Sequence, residues 1–157
     1  MSDFDKKFEV ERFLLVRTAH WRISVRPVQV TLGSLIVSSN NKSAGLSSLS
    51  KSESGELGFV FALASKILDD AFSPYVINFL GLMLVDPRVH FHLIPRYEYP
   101  LAFGGQKWED KSFPAMLTSL ESERTSASDE SLGEIFSVLN NHAKKSVAQS
   151  GLALQPR

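Results

Sequence analysis

Hydrophobic and polar positions in the first third of the chain predict one short helix and two strands. From Phe4 to Leu14 the apolar residues recur at loosely helical spacing among charged residues, which predicts a short amphipathic helix. Between Trp21 and Val37 they alternate as strand residues do, with interruptions at Pro27 and Gly33. This segment predicts two strands joined as a hairpin, and the Ser- and Asn-rich stretch from Asn40 to Ser52 predicts a loop.

Two longer segments have the spacing of amphipathic helices. From Leu57 to Ala71 the apolar residues fall at i, i+3, i+4 and i+7, which predicts a helix over Glu53 to Phe72 with one broad apolar face. The same spacing returns from Leu132 to Val147, directly after the capping signal at Ser128. We therefore expect a second long helix near the carboxyl end of the chain.

The apolar positions between these helices predict two further strands. Tyr75 to Val85 is a nearly continuous apolar run, which is typical of a central strand buried on both faces. Val89 to Arg96 alternates strictly, so that His90 and His92 lie on one face of the predicted strand. Tyr97 to Ser128 shows little periodicity and predicts a long loop.

The order of these elements predicts the fold class. Strands and helices do not alternate regularly, as they would around a parallel sheet, so an α+β fold with an antiparallel sheet and a C-terminal helix fits best. The chain has 157 residues, of which 43% are hydrophobic, and this predicts one domain over residues 1–150 and a frayed tail over residues 151–157.

Composition and charge exclude several classes of function. Seventeen basic and seventeen acidic residues give no net charge, so no overall field attracts a nucleic acid polymer or an anionic membrane. Cysteine is absent, which excludes thiol nucleophiles, cysteine-based zinc sites and a disulfide-stapled scaffold. No apolar stretch approaches the ~20 residues that span a bilayer, and no signal-peptide pattern is present. We expect a cytoplasmic protein without a membrane partner.

His90 and His92 are the strongest candidates for chemistry. Side chains two positions apart on a strand point the same way, with about 7 Å between their backbone positions. Arg88 stands at one end of the same face. Two proton-transfer or nucleophilic groups beside a fixed cation suit phosphoryl or nucleotidyl transfer, in which positioning and charge neutralisation contribute most of the catalysis.

The spacing of the histidine pair is also compatible with a purely structural role or with metal binding. Many solvent-facing strands carry two polar residues at this spacing without any function. Two imidazoles at i and i+2 also chelate Zn²⁺ or another divalent ion, but a closed site needs further ligands. Asp86, Glu98 and His142 are the candidates for those ligands.

The segment around the pair resembles the motif of the histidine triad (HIT) superfamily of nucleotide hydrolases and transferases. In that family three histidines alternate with apolar residues, and Pro-Arg often follows. When the motif is aligned on Pro95-Arg96, His90 matches the middle histidine and His92 the third. Arg88 stands where the first histidine is expected. The resemblance extends over roughly Trp21 to Pro114.

Neighbouring stretches both support this resemblance and depart from it. Gly33 to Val37 and Ile77 to Phe79 are similar to two strands of the family. In contrast, Met83 to Val85 stand where many members have a small polar stretch that contacts phosphate. Ser34 and Lys42 stand where two further family histidines are expected.

The resemblance implies a nucleotide hydrolase or nucleotidyl transferase. Its substrate would be cleaved at the α-phosphate of a nucleotide anhydride, ester or phosphoramidate, as in a dinucleoside polyphosphate. Neutral His90 would attack the phosphorus to give a nucleotidyl-histidine, and His92 would donate to the leaving group. The first triad position orients the middle imidazole partly through its backbone carbonyl, which Arg88 also supplies. No metal or other cofactor is required.

Four residues are candidates for substrate contacts. The guanidinium of Arg88 suits a bidentate contact to phosphate. Asn78 would contact phosphate or ribose, or is a buried asparagine whose side chain is satisfied by the backbone. Arg26 would reach the ribose, or is a solvated charge, and Lys42, which lies in a segment typical of a turn, is a phosphate contact by its family position alone. A homodimer and a nucleotide, expected to be a purine, are the implied partners. The main rival is the same fold binding a nucleotide without turnover, and a metal-binding His-x-His protein comes third.

Overall fold

The computed structural model describes residues 3–41, 44–120 and 124–151. Its helices and strands, in chain order, are α1 (Asp3–Lys7), β1 (Leu14–Arg17), β2 (Trp21–Val25), β3 (Leu35–Ser39), α2 (Lys51–Phe72), β4 (Val76–Leu80), β5 (His90–Arg96), β6 (Leu101–Phe103), β7 (Gln106–Trp108) and α3 (Asp129–Ser150). A short 3₁₀ turn, Leu46–Ser48, precedes α2.

Five of the strands form one antiparallel sheet in the order β1-β2-β3-β5-β4. Strands β2 and β3 form the predicted hairpin, with Val25 opposite Leu35. Gly33, in the connection between them, has a φ of 83°, and a Cβ there would lie 2.9 Å from the ring of Phe72. The α+β class with an antiparallel sheet is confirmed.

Helices α2 and α3 cover one face of the sheet. The residues of this face alternate along each strand, so that Trp21, Val37 and Phe91 enter the main hydrophobic core with Leu68 of α2 and Leu139 of α3. Each helix begins at a serine whose hydroxyl accepts a backbone N–H, as serine N-caps do. The two long predicted helices are therefore confirmed, and they leave the opposite face of the sheet available to other residues.

The opposite face of the sheet, which we call the histidine face, carries mostly polar residues. It consists of Arg22, Ser24, Ile36, Ser38, His90 and His92, which alternate with the core residues on β2, β3 and β5. Helix α1 and the turn after it lie over this face. Phe4, Phe8 and Val10 form with Ile36 a small second cluster of buried apolar side chains.

Three details of the sequence-based prediction are wrong. The segment Phe4–Leu14 is helical only over Asp3–Lys7, and its end enters strand β1 because Leu14 pairs with Ser24 of β2. The apolar run Tyr75–Val85 is not a central strand, since β4 is at the edge of the sheet and most of its residues keep some exposure. The predicted loop after Arg96 contains the hairpin β6–β7, whose pairing has no clear alternation in sequence.

None of the helices in the described part of the chain is long and apolar enough to cross a membrane.

Candidate active site

The two histidines of β5 lie side by side on the histidine face. Strand β5 runs between β3 and β4, and Ser38 and Ile36 of β3 stand opposite His90 and His92. The two imidazole rings are nearly perpendicular, with 5.0 Å between their centroids. Phe91, between them in sequence, points into the main core. The expected common orientation of the two rings is therefore observed.

A backbone hydrogen bond fixes the tautomer of His90. Its Nδ1 lies 2.7 Å from the carbonyl oxygen of Arg88. A carbonyl oxygen only accepts, so Nδ1 carries the proton and donates it. Nε2 of the neutral ring then keeps its lone pair, which is the form a nucleophilic imidazole needs. The residue at the first triad position supplies this contact through its main chain, as the resemblance implies.

Both histidines are held in the neutral form, mainly by burial. Burial lowers the pKa of His90, although the hydrogen bond to Arg88 acts in the opposite direction, and the positive charges of Lys7 and Arg88 lower it further. Burial lowers the pKa of His92 to about 3, with smaller contributions from His90 and Arg26. The charge of Arg88 contributes less to the lowered pKa of His90 than burial does.

Helix α1 covers the two rings. The ring of Phe4 meets His90 edge-on at 5.0 Å between centroids, and Phe8 lies 5.8 Å from His92. Only 4% of His90 and 6% of His92 remain exposed. We call residues 3–10 the cover, because they separate the histidine face from solvent.

A cavity of about 160 Å³ opens beside the cover and reaches both histidines. Arg26 lines it, and the Arg26 guanidinium also donates to the carbonyl of Val28. Lys7 of the cover and Asp86 lie at its rim and form an ion pair at 2.8 Å. The cavity thus brings together three of the predicted site residues, His90, His92 and Arg26.

Arg88 lies beneath the cover. Its guanidinium donates to the carboxylate of Asp5 at 2.8 Å and lies 5.2 Å from the ring centroid of Phe4. The same carboxylate oxygen of Asp5 is 3.0 Å from Arg22 of β2. Two arginines that are both almost fully buried therefore share one carboxylate of the cover.

Asn78, another of the predicted site residues, does not line the cavity. Asn78 of β4 accepts a hydrogen bond of 2.9 Å from Arg96, which is itself in a buried ion pair with Asp110. Its side-chain oxygen thus supports the far end of β5. Lys42 lies outside the described residues.

Of the three candidate metal ligands, Asp86 lines the cavity of the histidine pair, and Glu98 and His142 do not. Within residues 3–41, 44–120 and 124–151, no group of three or more His, Cys, Asp and Glu side chains is arranged to hold a metal ion. Asp86 is engaged by Lys7 instead.

A larger cavity, of about 320 Å³, lies elsewhere on the molecule. Thr31, Asp110 and Arg124 are among its lining residues, and neither His90 nor His92 lines it. Its size does not make it the active-site candidate, because the tautomer and neutral state required of a nucleophile are found at the histidine pair.

The residues that cover the site were not identified from the sequence. Asp5 is 83 positions away from Arg88, and Phe4 and Phe8 are similarly distant from the strand they cover. The amphipathic spacing from Phe4 onward indicates that this segment buries one apolar face, but it does not indicate which part of the protein that face contacts.

No family model matches the sequence, and no curated protein matches it. Solved structures do match. A hypothetical histidine triad nucleotide-binding protein from Sulfolobus tokodaii is 17% identical, with a TM-score of 0.66 over 88% of each chain. A histidine triad protein from Marinobacter aquaeolei is 14% identical, with a TM-score of 0.67 over 87% of this chain and 93% of that one. This chain has the histidine triad fold.

The same fold occurs in a hydrolase. The diadenosine triphosphate hydrolase of Plasmodium falciparum is 14% identical to this chain, with a TM-score of 0.60 over 86% of this chain and 78% of that one. At such identities the similarity establishes the fold. The resemblance found in the sequence is confirmed at that level.

Proposed function

We propose that the protein is a nucleotide hydrolase or nucleotidyl transferase that cleaves at an α-phosphate through a nucleotidyl-histidine intermediate. One observation carries the proposal: Nδ1 of His90 donates to the carbonyl of Arg88, which leaves Nε2 with its lone pair. Burial lowers the pKa of this ring, and its centroid lies 5.0 Å from that of His92. The histidine triad fold and its occurrence in a diadenosine triphosphate hydrolase support the substrate class.

The first step forms a bond from His90 Nε2 to the α-phosphorus. The bond from phosphorus to the leaving group breaks, and the leaving group departs with the electron pair. His92 is neutral because burial lowers its pKa to about 3, so it donates an N–H hydrogen bond to the departing atom, which takes its proton from solvent.

The second step releases the nucleotide. Water forms a bond to the phosphorus as the bond to Nε2 breaks, one water proton passes to solvent, and neutral His90 is regenerated. The hydrogen bond from Nδ1 to Arg88 holds the ring in the same tautomer throughout. The products are a nucleoside monophosphate and the protonated leaving group.

The remaining proposed contacts are to the substrate. Arg26 lines the histidine cavity and would hold the ribose or a phosphate there, and Arg88 would hold a phosphate once it is released from Asp5. Asn78 as a contact to phosphate or ribose and Lys42 as a phosphate contact, the latter on its family position alone, stay proposals. So does the cytoplasmic location, which rests on the composition of the sequence.

We also propose a homodimer formed through β4. This strand is at the edge of the sheet, and exposed apolar side chains occur on it and beside it. They are Tyr75, Val76, Phe79, Leu82, Leu84 and Val85. An exposed apolar edge strand is suited to pairing with a second copy, which would bury these side chains.

The test is hydrolysis of a dinucleoside polyphosphate by wild type and His90→Asn, followed by chromatography of the released monophosphate. His90→Asn should lose turnover by about a thousandfold or more and still bind a nucleoside monophosphate, because only the bond-forming atom is removed. His142→Asn, on α3 and outside the cavity, is the matched control and should keep full activity. Equal turnover by wild type and His90→Asn would refute His90 as the nucleophile.

A second candidate is nucleotide binding without turnover. The cover over both histidines and the pairing of Arg88 with Asp5 favour it, because they shield the ring of His90 while the cavity lined by Arg26 stays open beside them. A wild-type protein that binds a nucleoside monophosphate in calorimetry but hydrolyses no dinucleoside polyphosphate or adenylyl-lysine-type substrate would support this candidate.

A further inference from the structure

The carboxylate of Asp5 lies between two arginines that come from different strands. One of its oxygens is 3.0 Å from Arg22 Nη2 on β2 and 2.8 Å from Arg88 Nη1, just before β5. The exposed fraction is 5% for Arg22 and 8% for Arg88. A buried guanidinium needs an anion or several acceptors nearby, and here the cover provides the shared anion. Glu11 adds a longer contact of 3.3 Å to Arg22.

The surface under the cover has more hydrogen-bonding capacity than the cover satisfies. Four buried polar atoms on the histidine face have no hydrogen-bond partner among the described residues: Arg22 Nε, Ser24 Oγ, Ser38 Oγ and His92 Nδ1. The sheet register places Arg22, Ser38 and His90 in one row across three neighbouring strands. Leaving buried polar atoms unpaired is costly, so this face is better matched to a polar ligand than to the apolar side chains of the cover.

The cover can leave without disturbing the main core. Helix α1 has five residues, which is too short for a helix to persist on its own. Its apolar contacts are made in the small cluster of Phe4, Phe8, Val10 and Ile36, whereas the main core is on the other side of the sheet. A segment with so few buried contacts is able to open locally.

We propose that Arg22, Arg88 and Ser38 form a second anion subsite beside His90, which takes a phosphate group of a nucleotide or polyphosphate when the cover opens. In the closed molecule the carboxylate of Asp5 fills this subsite and competes with the ligand. A phosphate group carries more charge and more acceptor oxygens than a carboxylate, so it can accept from both guanidinium groups and from Ser38 at once. Arg22 is assigned no role by the proposed reaction.

This inference deepens the proposed function, since the subsite adjoins the reacting histidine. Its test measures binding of inorganic pyrophosphate in magnesium-free buffer, without any turnover. If the protein binds pyrophosphate more tightly when the cover is weakened and yet hydrolyses no nucleotide substrate, that result would refute the proposed function and support the subsite. Hydrolysis without any change in pyrophosphate affinity would support the proposed function and refute the subsite.

The decisive variant is Asp5→Asn, compared with Asp3→Asn in titration calorimetry with pyrophosphate. Asp5→Asn removes the internal competitor and should bind pyrophosphate at least about tenfold more tightly than wild type, because more of the molecules have an open subsite. Asp3 is an exposed residue of the same helix, so Asp3→Asn makes the same change in net charge and should match wild type. Adding Arg22→Gln to Asp5→Asn should abolish the gain.

Two further results decide the matter if Asp5→Asn does not fold. Phe4→Ala loosens the cover without changing any charge, and it too should tighten pyrophosphate binding. In the wild type, pyrophosphate should speed amide hydrogen exchange in residues 3–10. If Asp3→Asn and Asp5→Asn gain the same affinity for pyrophosphate, the gain comes from the change in overall charge and the proposal is refuted. Unchanged pyrophosphate affinity in both Asp5→Asn and Phe4→Ala would also refute it.

Discussion

The imidazole of His92 illustrates how burial sets the state of a single side chain. It packs beneath Phe8, and the positive charges of Arg26 and Lys7 face it, while Asp86 acts in the opposite direction. Burial and these charges keep the ring neutral until well below neutral pH, since its pKa falls from 6.5 to about 3. Such a ring can hydrogen-bond in a covered site without bringing an unpaired charge into it.

The stability of the protein should therefore fall as the pH drops below 6.5. Above that value His92 is neutral in both folded and unfolded chains, so stability is fully present. Below it only the unfolded chain takes up the proton, and stability is lost by up to about 1.4 kcal/mol per pH unit as the pH falls towards 3. Urea unfolding at pH 7.5, 6.5 and 5.5 measures this slope.

The matched variants for this slope are His92→Asn and His142→Asn. His92→Asn should have a flatter profile between pH 6.5 and 5.5, because the group that titrates only in the unfolded chain has been removed. His142→Asn should keep the wild-type slope. A His92→Asn profile parallel to that of wild type would contradict the burial argument.

Among the elements, α2 is stabilised most clearly at its first turn. Ser50 accepts from the backbone N–H of Glu53, and the Glu53 carboxylate accepts from the backbone N–H of Ser50 at 2.8 Å. Asn41 also donates to this carboxylate at 2.9 Å. The hydrogen bonds from Ser50 and Asn41 lower the pKa of Glu53 to about 2. The carboxylate thus joins the start of the helix to the end of β3.

Replacing this carboxylate should destabilise the fold. Glu53→Ala should lower the free energy of unfolding by about 1–2 kcal/mol at pH 7, because the reciprocal capping bonds are lost. Glu134→Ala, at an exposed position of α3, should change it by less than about 0.5 kcal/mol. Because the folded pKa is lowered, the difference between wild type and Glu53→Ala should persist above pH 4.5 and shrink towards pH 2. A difference that is constant over that range would contradict the capping role of the charge.

The elements that sequence periodicity predicted well are those whose two faces differ in polarity. Helices α2 and α3 and strand β5 each have one apolar face towards the main core, and their apolar spacing therefore reports their geometry. Strand β4 misled the prediction because its apolar side chains are partly exposed at the sheet edge rather than buried on both faces. Strands β6 and β7 have three residues each, too few for any period to be visible.

At the scale of the whole molecule, the exposed apolar edge at β4 predicts that a second copy of the chain pairs with it. Leu84 and Val85, which follow β4, are 84% and 82% exposed, and Val76 at the start of β4 is 44% exposed. We expect sedimentation to give twice the chain mass of 17.5 kDa. Val76→Lys should shift the protein towards monomer, because a charge would be buried at the interface.

Met116→Lys is the matched control for the dimer. Met116 is as exposed as Leu84 but lies outside β4 and the segment that follows it, so a lysine there should leave the sedimentation profile unchanged. A wild-type monomer at high concentration would refute the dimer, and equal dissociation of both variants would refute the interface.

Only the part of the site that lies on a single strand could be predicted from the sequence. His90, His92 and the carbonyl of Arg88 belong to five consecutive residues, so a motif and strand alternation were enough to place them together. The ion pairs of Arg88 and Arg22 with Asp5 depend on how distant segments pack, which no local spacing encodes. Arg26 lines the cavity because the chain turns after β2. Asn78 instead accepts a hydrogen bond from Arg96, outside the cavity.

The 83 positions between Asp5 and Arg88 also impose an order of assembly. A ribosome releases the residues of α1 long before it has made β5, and a five-residue helix does not hold its shape while it waits. We therefore expect the sheet to form first and α1 to settle onto it late. Both imidazoles would then face solvent until α1 docks, and a nucleotide present during folding would reach them before Phe4 and Phe8 do.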